Sequence, residues 1–146
     1  VSLKKRTATE AEIERALRIV EMTDVEVEKA ELPRLATNYA RRTMNHKEPG
    51  QSYDVLIQAI QLGDTALVTL PFEVLVEIGL EIKEKSPFAN TIVIGLSNGA
   101  FGYLPTPKQH ALGGYETWLG TCRVEPGSSE ILTTHLLEML GELHGR

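Results

Sequence analysis

Glu73, Tyr103 and Tyr115 are the side chains whose types and settings could do chemistry in this sequence. A carboxylate can ligate a metal or move a proton. A phenol joins a flat apolar ring to a hydroxyl that can donate or accept a hydrogen bond. Gly102 precedes Tyr103, and Gly113 and Gly114 precede Tyr115. Glycine adopts dihedrals that other residues avoid, so both rings can be aimed unusually. Other readings stay open for each residue. An acid in the first turn of a helix complements the helix dipole. A tyrosine commonly packs its ring and satisfies its hydroxyl locally.

The remaining candidates are weaker. Of His46, His110, His135 and His144, only His110 lies between the two tyrosines, and the four have no metal-ligand spacing among themselves. Gly95, Gly99 and Gly102 lack the dinucleotide spacing. Pro105 and Pro107 stand where a phosphate-binding helix would begin, which excludes nucleotide binding. Ser97, Ser128 and Ser129 read as a strand end and helix caps. Glu77, Glu81 and Glu84 continue one side of a helix as a solvated face, with Glu81 and Lys85 spaced for an i,i+4 pair.

These residues need elements to position them. The stretch Thr91 to Glu116 begins as a β-branched strand, Thr91 to Leu96, and breaks into a glycine- and proline-rich loop. A rigid strand feeding such a loop is a common way to hold reactive groups still. Upstream, Thr65 to Leu70 reads as a strand. Pro71 then starts a helix with Val74, Leu75, Ile78 and Ile82, and Ser86-Pro87 ends it. Glu73 falls in the first turn of that helix. A strand–helix–strand run of this length favours a parallel pair. Tyr53 to Gln61 reads as a strand that meets Thr65 to Leu70 through a tight Gly63-Asp64 turn.

The N-terminal third reads differently. Val1 to Arg6 is an extended or frayed lead-in. Thr9 and Glu12 have capping-box spacing. Ile13, Ala16, Leu17 and Val20 then define one face of a helix over about Glu10 to Met22. Thr23 to Lys29 alternates and suggests a short strand, and Pro33 opens a helix ending near His46. Glu48-Pro49-Gly50 is a break, dividing a helical segment over 1–48 from an α/β part over 49–146. Downstream, Thr106 to Leu112 is a short helix and Gly120 to Val124 a last strand. A final helix follows, with Leu132, Leu136, Met139, Leu140 and Leu143 on one face. The expected fold is an α/β layered domain with a small mixed sheet and flanking helices.

With 146 residues, 42% apolar and 24% charged, the chain can build a real core. A net charge of −5 argues against nucleic acid or an anionic membrane as the main partner. One cysteine, Cys122, excludes an internal disulfide and a cysteine-based zinc motif. No apolar run approaches the ~20 residues of a membrane span, and no signal peptide is visible. The chain starts at Val1 rather than Met, as a processed piece would.

Glu73 after Pro71, Gly95-Leu96-Ser97-Asn98, Tyr103-Leu104-Pro105-Thr106 and Tyr115-Glu116 together resemble the C-terminal part of the neutral/alkaline, non-lysosomal ceramidase catalytic domain. In that family a Pro-Gly-Glu opens a helix and a strand ends in Gly-Leu-x-Asn. A Tyr-x-x-Thr follows, with a Tyr-Glu twelve residues beyond its tyrosine, which is the interval from Tyr103 to Tyr115. The resemblance covers roughly Asp64 to Leu143. Phe72 stands where the family has glycine, and Pro105 where it has threonine.

The resemblance implies a zinc-dependent hydrolase acting on the amide of N-acylated lipids. Glu73 and Tyr103 would match zinc ligands, and Tyr115 an active-site tyrosine near the substrate carbonyl. The family's histidine ligands lie upstream of the matching region and have no counterpart here. The chain is therefore expected to be a fragment, inactive alone, that does not retain zinc. The resemblance suggests a secreted or periplasmic parent. A domain so severed would expose apolar surface and self-associate. The competing expectation is a non-catalytic ligand-binding or oligomerising domain.

Overall fold

The computed structural model describes residues 1–145. Strand β1 (Ser2–Lys4) pairs antiparallel with β2 (Ser52–Asp54), Leu3 opposite Tyr53. The expected lead-in is thus a paired strand. Leu3 is fully buried, and the N-terminal ammonium donates to the Val55 carbonyl at 2.9 Å. Helix α1 (Glu10–Ile19) starts with both bonds of the Thr9–Glu12 capping box and ends before Met22. Helix α2 (Asp24–Lys29) replaces the strand expected there. Thr23 and Glu26 form a second capping box, which nucleates a turn of helix, and Val27 alone is buried. Helix α3 (Ala36–Met44) packs on α1.

The expected strand from Tyr53 to Gln61 is two strands with different partners. β2 pairs with β1, then Val55 and Ile57 pass into the core, and β3 (Gln58–Leu62) pairs antiparallel with β4 (Thr65–Thr69). Gly63, at φ 62°, makes the hairpin turn between them. Next come β5 (Glu73–Val74), helix α4 (Val76–Lys85) and β6 (Asn90–Ile94). β6 runs parallel to β4 with Ile92 opposite Leu67, giving the three-stranded order β3-β4-β6. The parallel pair around an intervening helix is the arrangement the sequence predicts.

Past β6 lie β7 (Tyr103–Leu104), α5 (Pro107–Leu112), a 3-10 turn (Tyr115–Thr117) and α6 (Ser128–His144). The predicted strand at Gly120 to Val124 does not form; the segment makes isolated bridges, Gly102 to Cys122, Leu119 to Cys122 and Lys5 to Val124. The Trp118 carbonyl accepts from the amides of Thr121 and Cys122 at 3.0 and 2.9 Å, which folds that segment back on itself. Gly127, not a serine, takes the N-cap position of α6. Ser128 and Ser129 are buried inside the helix start, and the Ser129 hydroxyl has no hydrogen-bond partner.

The result is an α/β layered fold with small mixed sheets. Helices α4 and α6 lie against the three-stranded sheet. Ala66 and Val68 meet Ile78, Ile82, Leu136 and Leu140 in the buried core. The other face carries Ile60, Leu62, Leu67, Ile92 and Ile94, which register and alternation place together. Ile60, Leu62, Ile92 and Ile94 are 40–59% exposed. Half of an apolar sheet faces outward.

Candidate functional site

Glu73 does not open a helix. Phe72 is fully buried, and its carbonyl accepts from the Leu96 amide at 2.9 Å, so the backbone stays extended past Pro71. The Glu73 amide donates to the Gly102 carbonyl at 3.0 Å, and helix α4 starts only after Leu75. The dipole reading of Glu73 therefore falls away: it is a strand residue. β5 pairs with β7 in parallel, and the register sets Glu73 directly opposite Tyr103. In a parallel pair, register partners project from the same face.

The two side chains interact. Tyr103's phenol pKa is pushed above its ordinary value, first by the hydrogen bond to the Glu73 carboxylate. Partial burial and the negative charge of Glu73 add to it, with smaller contributions from Tyr115 and Glu116. The carboxylate beside it therefore favours the protonated phenol. Tyr115, on the 3-10 turn, places its ring edge-to-face against Tyr103, centroids 5.8 Å apart at 76°. Glu73, Tyr103 and Tyr115, drawn from three separate elements, form one cluster.

The loops that carry them are held hard. Gly102 has φ 87°, and a Cβ there would meet the Thr121 carbonyl at 2.2 Å. That carbonyl accepts from the Tyr103 amide at 3.0 Å. After β6, Leu96 and Asn98 adopt φ of 52° and 62°, a region that costs of order 1–3 kcal/mol for such residues. The backbone amides of Leu96 and Ser97 donate to the carbonyls of Phe72 and Leu70, and the Asn98 side-chain Nδ2 donates to Gln58 Oε1 at 2.7 Å. Strain fixed by that many bonds places β6's exit beside β5.

A groove of about 600 Å³ runs alongside. Glu73, Tyr103 and Glu116 give it a polar end, and Leu75, Val76, Leu80 and Leu96 an apolar wall. Its size and lining suit a small amphiphilic ligand. Glu116, absent from the sequence-based candidates, lines this groove. Its sequence signal is its place after Tyr115 in the Tyr-Glu pair. Tyr39 of α3 and Trp118 also join the cluster, with centroids 6.4 and 5.7 Å from Tyr115. No local pattern could have tied Tyr39 to a residue so distant in the chain.

His110 is not part of the groove. Helix α5 turns it inward, with Nε2 3.7 Å from the buried Cys122 Sγ, and burial followed by the Arg6 charge lowers its pKa. Burial raises the Cys122 thiol, so it is not a reactive nucleophile. His46 is buried too, bound through Nδ1 to the Arg6 carbonyl at 2.9 Å. His135 sits on α6 beside Glu138. Lys85 and Glu81 make the expected surface pair at 2.6 Å.

A zinc ion takes three or four protein ligands, drawn from His, Cys and carboxylates. Among the described residues no group of three or more His, Cys, Asp or Glu side chains converges as a metal site would. Glu73 and Tyr103 fit part of such a site and do not fit the whole of one.

Two solved structures are similar in fold. One is a ceramidase complexed with C2, at a TM-score of 0.56 and 22% identity. The other is the neutral ceramidase from Pseudomonas aeruginosa, at 0.55 and 23%. Each match covers 62% of this chain and 15% of the ceramidase chain. No family model and no curated protein matches the sequence. The comparison therefore shows that this chain has a ceramidase-like fold over that part, a small share of the ceramidases' own length.

Proposed function

We propose that this chain is part of a ceramidase-like hydrolase that cleaves an amide (N-acyl) bond. The observation that carries the reading is the register pairing of Glu73 with Tyr103, within a fold that two ceramidases share in part. Glu73 would supply a carboxylate ligand and Tyr103 a phenolate ligand to zinc, and histidines from outside this chain would complete the set. Zinc, when bound, supplies a water with a pKa near ~7 and polarises the scissile carbonyl. Tyr103 would have to be deprotonated to serve as a ligand, so metal binding there would be pH-dependent. Tyr115, half-exposed beside Tyr103, would donate to the carbonyl oxygen as charge develops on it. The apolar wall of the groove would take part of an N-acylated lipid.

Two measurements test this. Calorimetry on the isolated chain should find no zinc binding tighter than micromolar, because half a ligand set is present. Submicromolar binding would overturn the shared-site reading. In the complete protein, Glu73→Ala should lower zinc content and amide hydrolysis together, and unchanged activity would refute it. A second reading, a non-catalytic oligomerising domain, draws support from the open sheet face of Ile60, Leu62, Ile92 and Ile94. It requires that Glu73→Ala leave the protein's function intact.

A further inference from the structure

A second cleft, of about 460 Å³, opens between α1, α3 and the segment after the 3-10 turn. Ala16, Ile19, Leu32 and Ala36 form its base. Tyr39 and Trp118 form one wall, with rings edge-to-face at 5.1 Å and 87°. The rim carries Arg6, Arg15 and Glu12. None of these residues lines the groove at Glu73 and Tyr103, but Tyr39 and Trp118 pack against Tyr115, so the two clefts are separate openings on one aromatic cluster.

The rim charges are not equivalent. The Glu12 carboxylate is engaged by Thr9, whose amide and hydroxyl both donate to Oε2, at 2.8 and 2.9 Å. Arg6 spends one guanidinium nitrogen on the Thr117 carbonyl. Exposed Arg15 makes no hydrogen bond or ion pair among the described residues. Arg42 adds positive charge over the outer face of Tyr39, 5.5 Å from the ring centroid. An apolar cleft of ligand size with an unspent guanidinium at its mouth is the arrangement that takes an apolar tail with an anionic head.

We propose that the cleft between α1 and α3 binds an amphiphilic carboxylate, its chain against Ile19, Leu32 and Trp118 and its head on Arg15. A carboxylate can meet the guanidinium fork with two parallel bonds. The 3-10 turn links the two clefts, since Glu116 lines one and Thr117 and Trp118 the other. Occupancy would therefore steady the turn that carries Tyr115.

Trp118 is the sole tryptophan, so its emission reports on this cleft directly. Octanoate, decanoate and dodecanoate, titrated below their micellar concentrations, should each give a saturable change. Affinity should rise about fourfold per added methylene until the cleft is filled. Arg15→Glu should weaken dodecanoate at least tenfold and leave dodecanol unchanged, while Glu12→Gln should tighten dodecanoate. Three results would overturn the proposal: no saturable change with any chain length, equal binding of dodecanoate and dodecylammonium, or an Arg15→Glu variant with unaltered affinity. Arg15 is exposed, so its variants should fold. The readout needs no metal, so failure here would leave the Glu73–Tyr103 reading standing.

Discussion

Gly102 is where the geometry of the candidate site can be broken by one methyl group. Its carbonyl receives the Glu73 amide, and the next residue is Tyr103. In Gly102→Ala the added Cβ would sit in a left-handed backbone at φ 87° and 2.2 Å from the Thr121 carbonyl oxygen. The left-handed conformation costs roughly 1–2 kcal/mol for a residue with a Cβ, and forcing an extra carbon into a packed place typically costs about 1–3 kcal/mol. Relief requires the Thr121 carbonyl to move, and that carbonyl holds the Tyr103 amide. The loss should therefore be about 3 kcal/mol, a large share of the ~5–15 kcal/mol that holds a domain together. Urea unfolding followed by Trp118 emission should show the midpoint falling by about 1–3 M, given slopes of ~1–3 kcal/mol/M. Gly79→Ala is the control. Gly79 lies within α4 and a Cβ there meets nothing within 4 Å, so alanine should add roughly 0.5–1 kcal/mol. If Gly102→Ala unfolds at the wild-type midpoint, the backbone is not what sets Tyr103 against Glu73, and the reasoning fails.

Three further outcomes are expected. Glu73→Gln removes the charged acceptor, so the raised Tyr103 pKa should fall back toward the ordinary 10.0; phenolate absorbance, with Tyr103→Phe to assign it among the four tyrosines, should show the drop, and no drop would deny the contact. His46 is buried with its pKa held below the usual 6.5, chiefly by burial. Its contribution to stability is complete above 6.5 and is lost as pH falls through the lower folded value. His46→Gln should flatten the pH dependence of unfolding in mildly acidic buffer, leaving a residual slope from His110, which is shifted the same way. Ile92→Lys places a charge on the open sheet face; wild type should associate at high concentration and the variant less, and sedimentation showing a wild-type monomer throughout would refute an adhesive face.

How much of this is legible in the sequence depends on whether a signal is local. Capping boxes, the Gly63-Asp64 turn and the leucine face of α6 act over a few residues, and the structure keeps them. Thr23 to Lys29 suggests a strand because two valines two apart fit a strand and a short turn of helix equally well; the Thr23–Glu26 box decides for helix. Pro71 to Leu75 departs from expectation for a different reason. The residues suit a helix start, but tertiary bonds from Gly102, Leu96 and Leu104 hold the segment extended. The pairing of Glu73 with Tyr103 thus arises through a strand that local propensity does not announce. Tyr39, Trp118 and Glu116 reach the site only through the packing of α3 and the 3-10 turn, and no spacing within the chain encodes that.

On the proposed reading, the incomplete ligand set and the uncovered sheet have one explanation. β6 contributes Ile92 and Ile94 to the open face, while Val93, Gly95 and Leu96 line the groove beside Glu73. Alternation sets Ile92 and Ile94 on the face opposite Val93, so a layer laid across Ile60, Leu62, Ile92 and Ile94 would cover the far side of the strand whose end borders that groove. Burying such side chains is worth roughly 1.5–3 kcal/mol each, enough to position incoming histidines without help from the metal. On that reading the layers would dock first through apolar contact, and the residues that would hold zinc would be in place before it binds. In the complete protein, Ile92→Lys should then reduce zinc affinity although Ile92 touches no ligand. Unaltered zinc affinity in a folded Ile92→Lys protein would separate the sheet face from the metal site and leave the exposed isoleucines without a role in it.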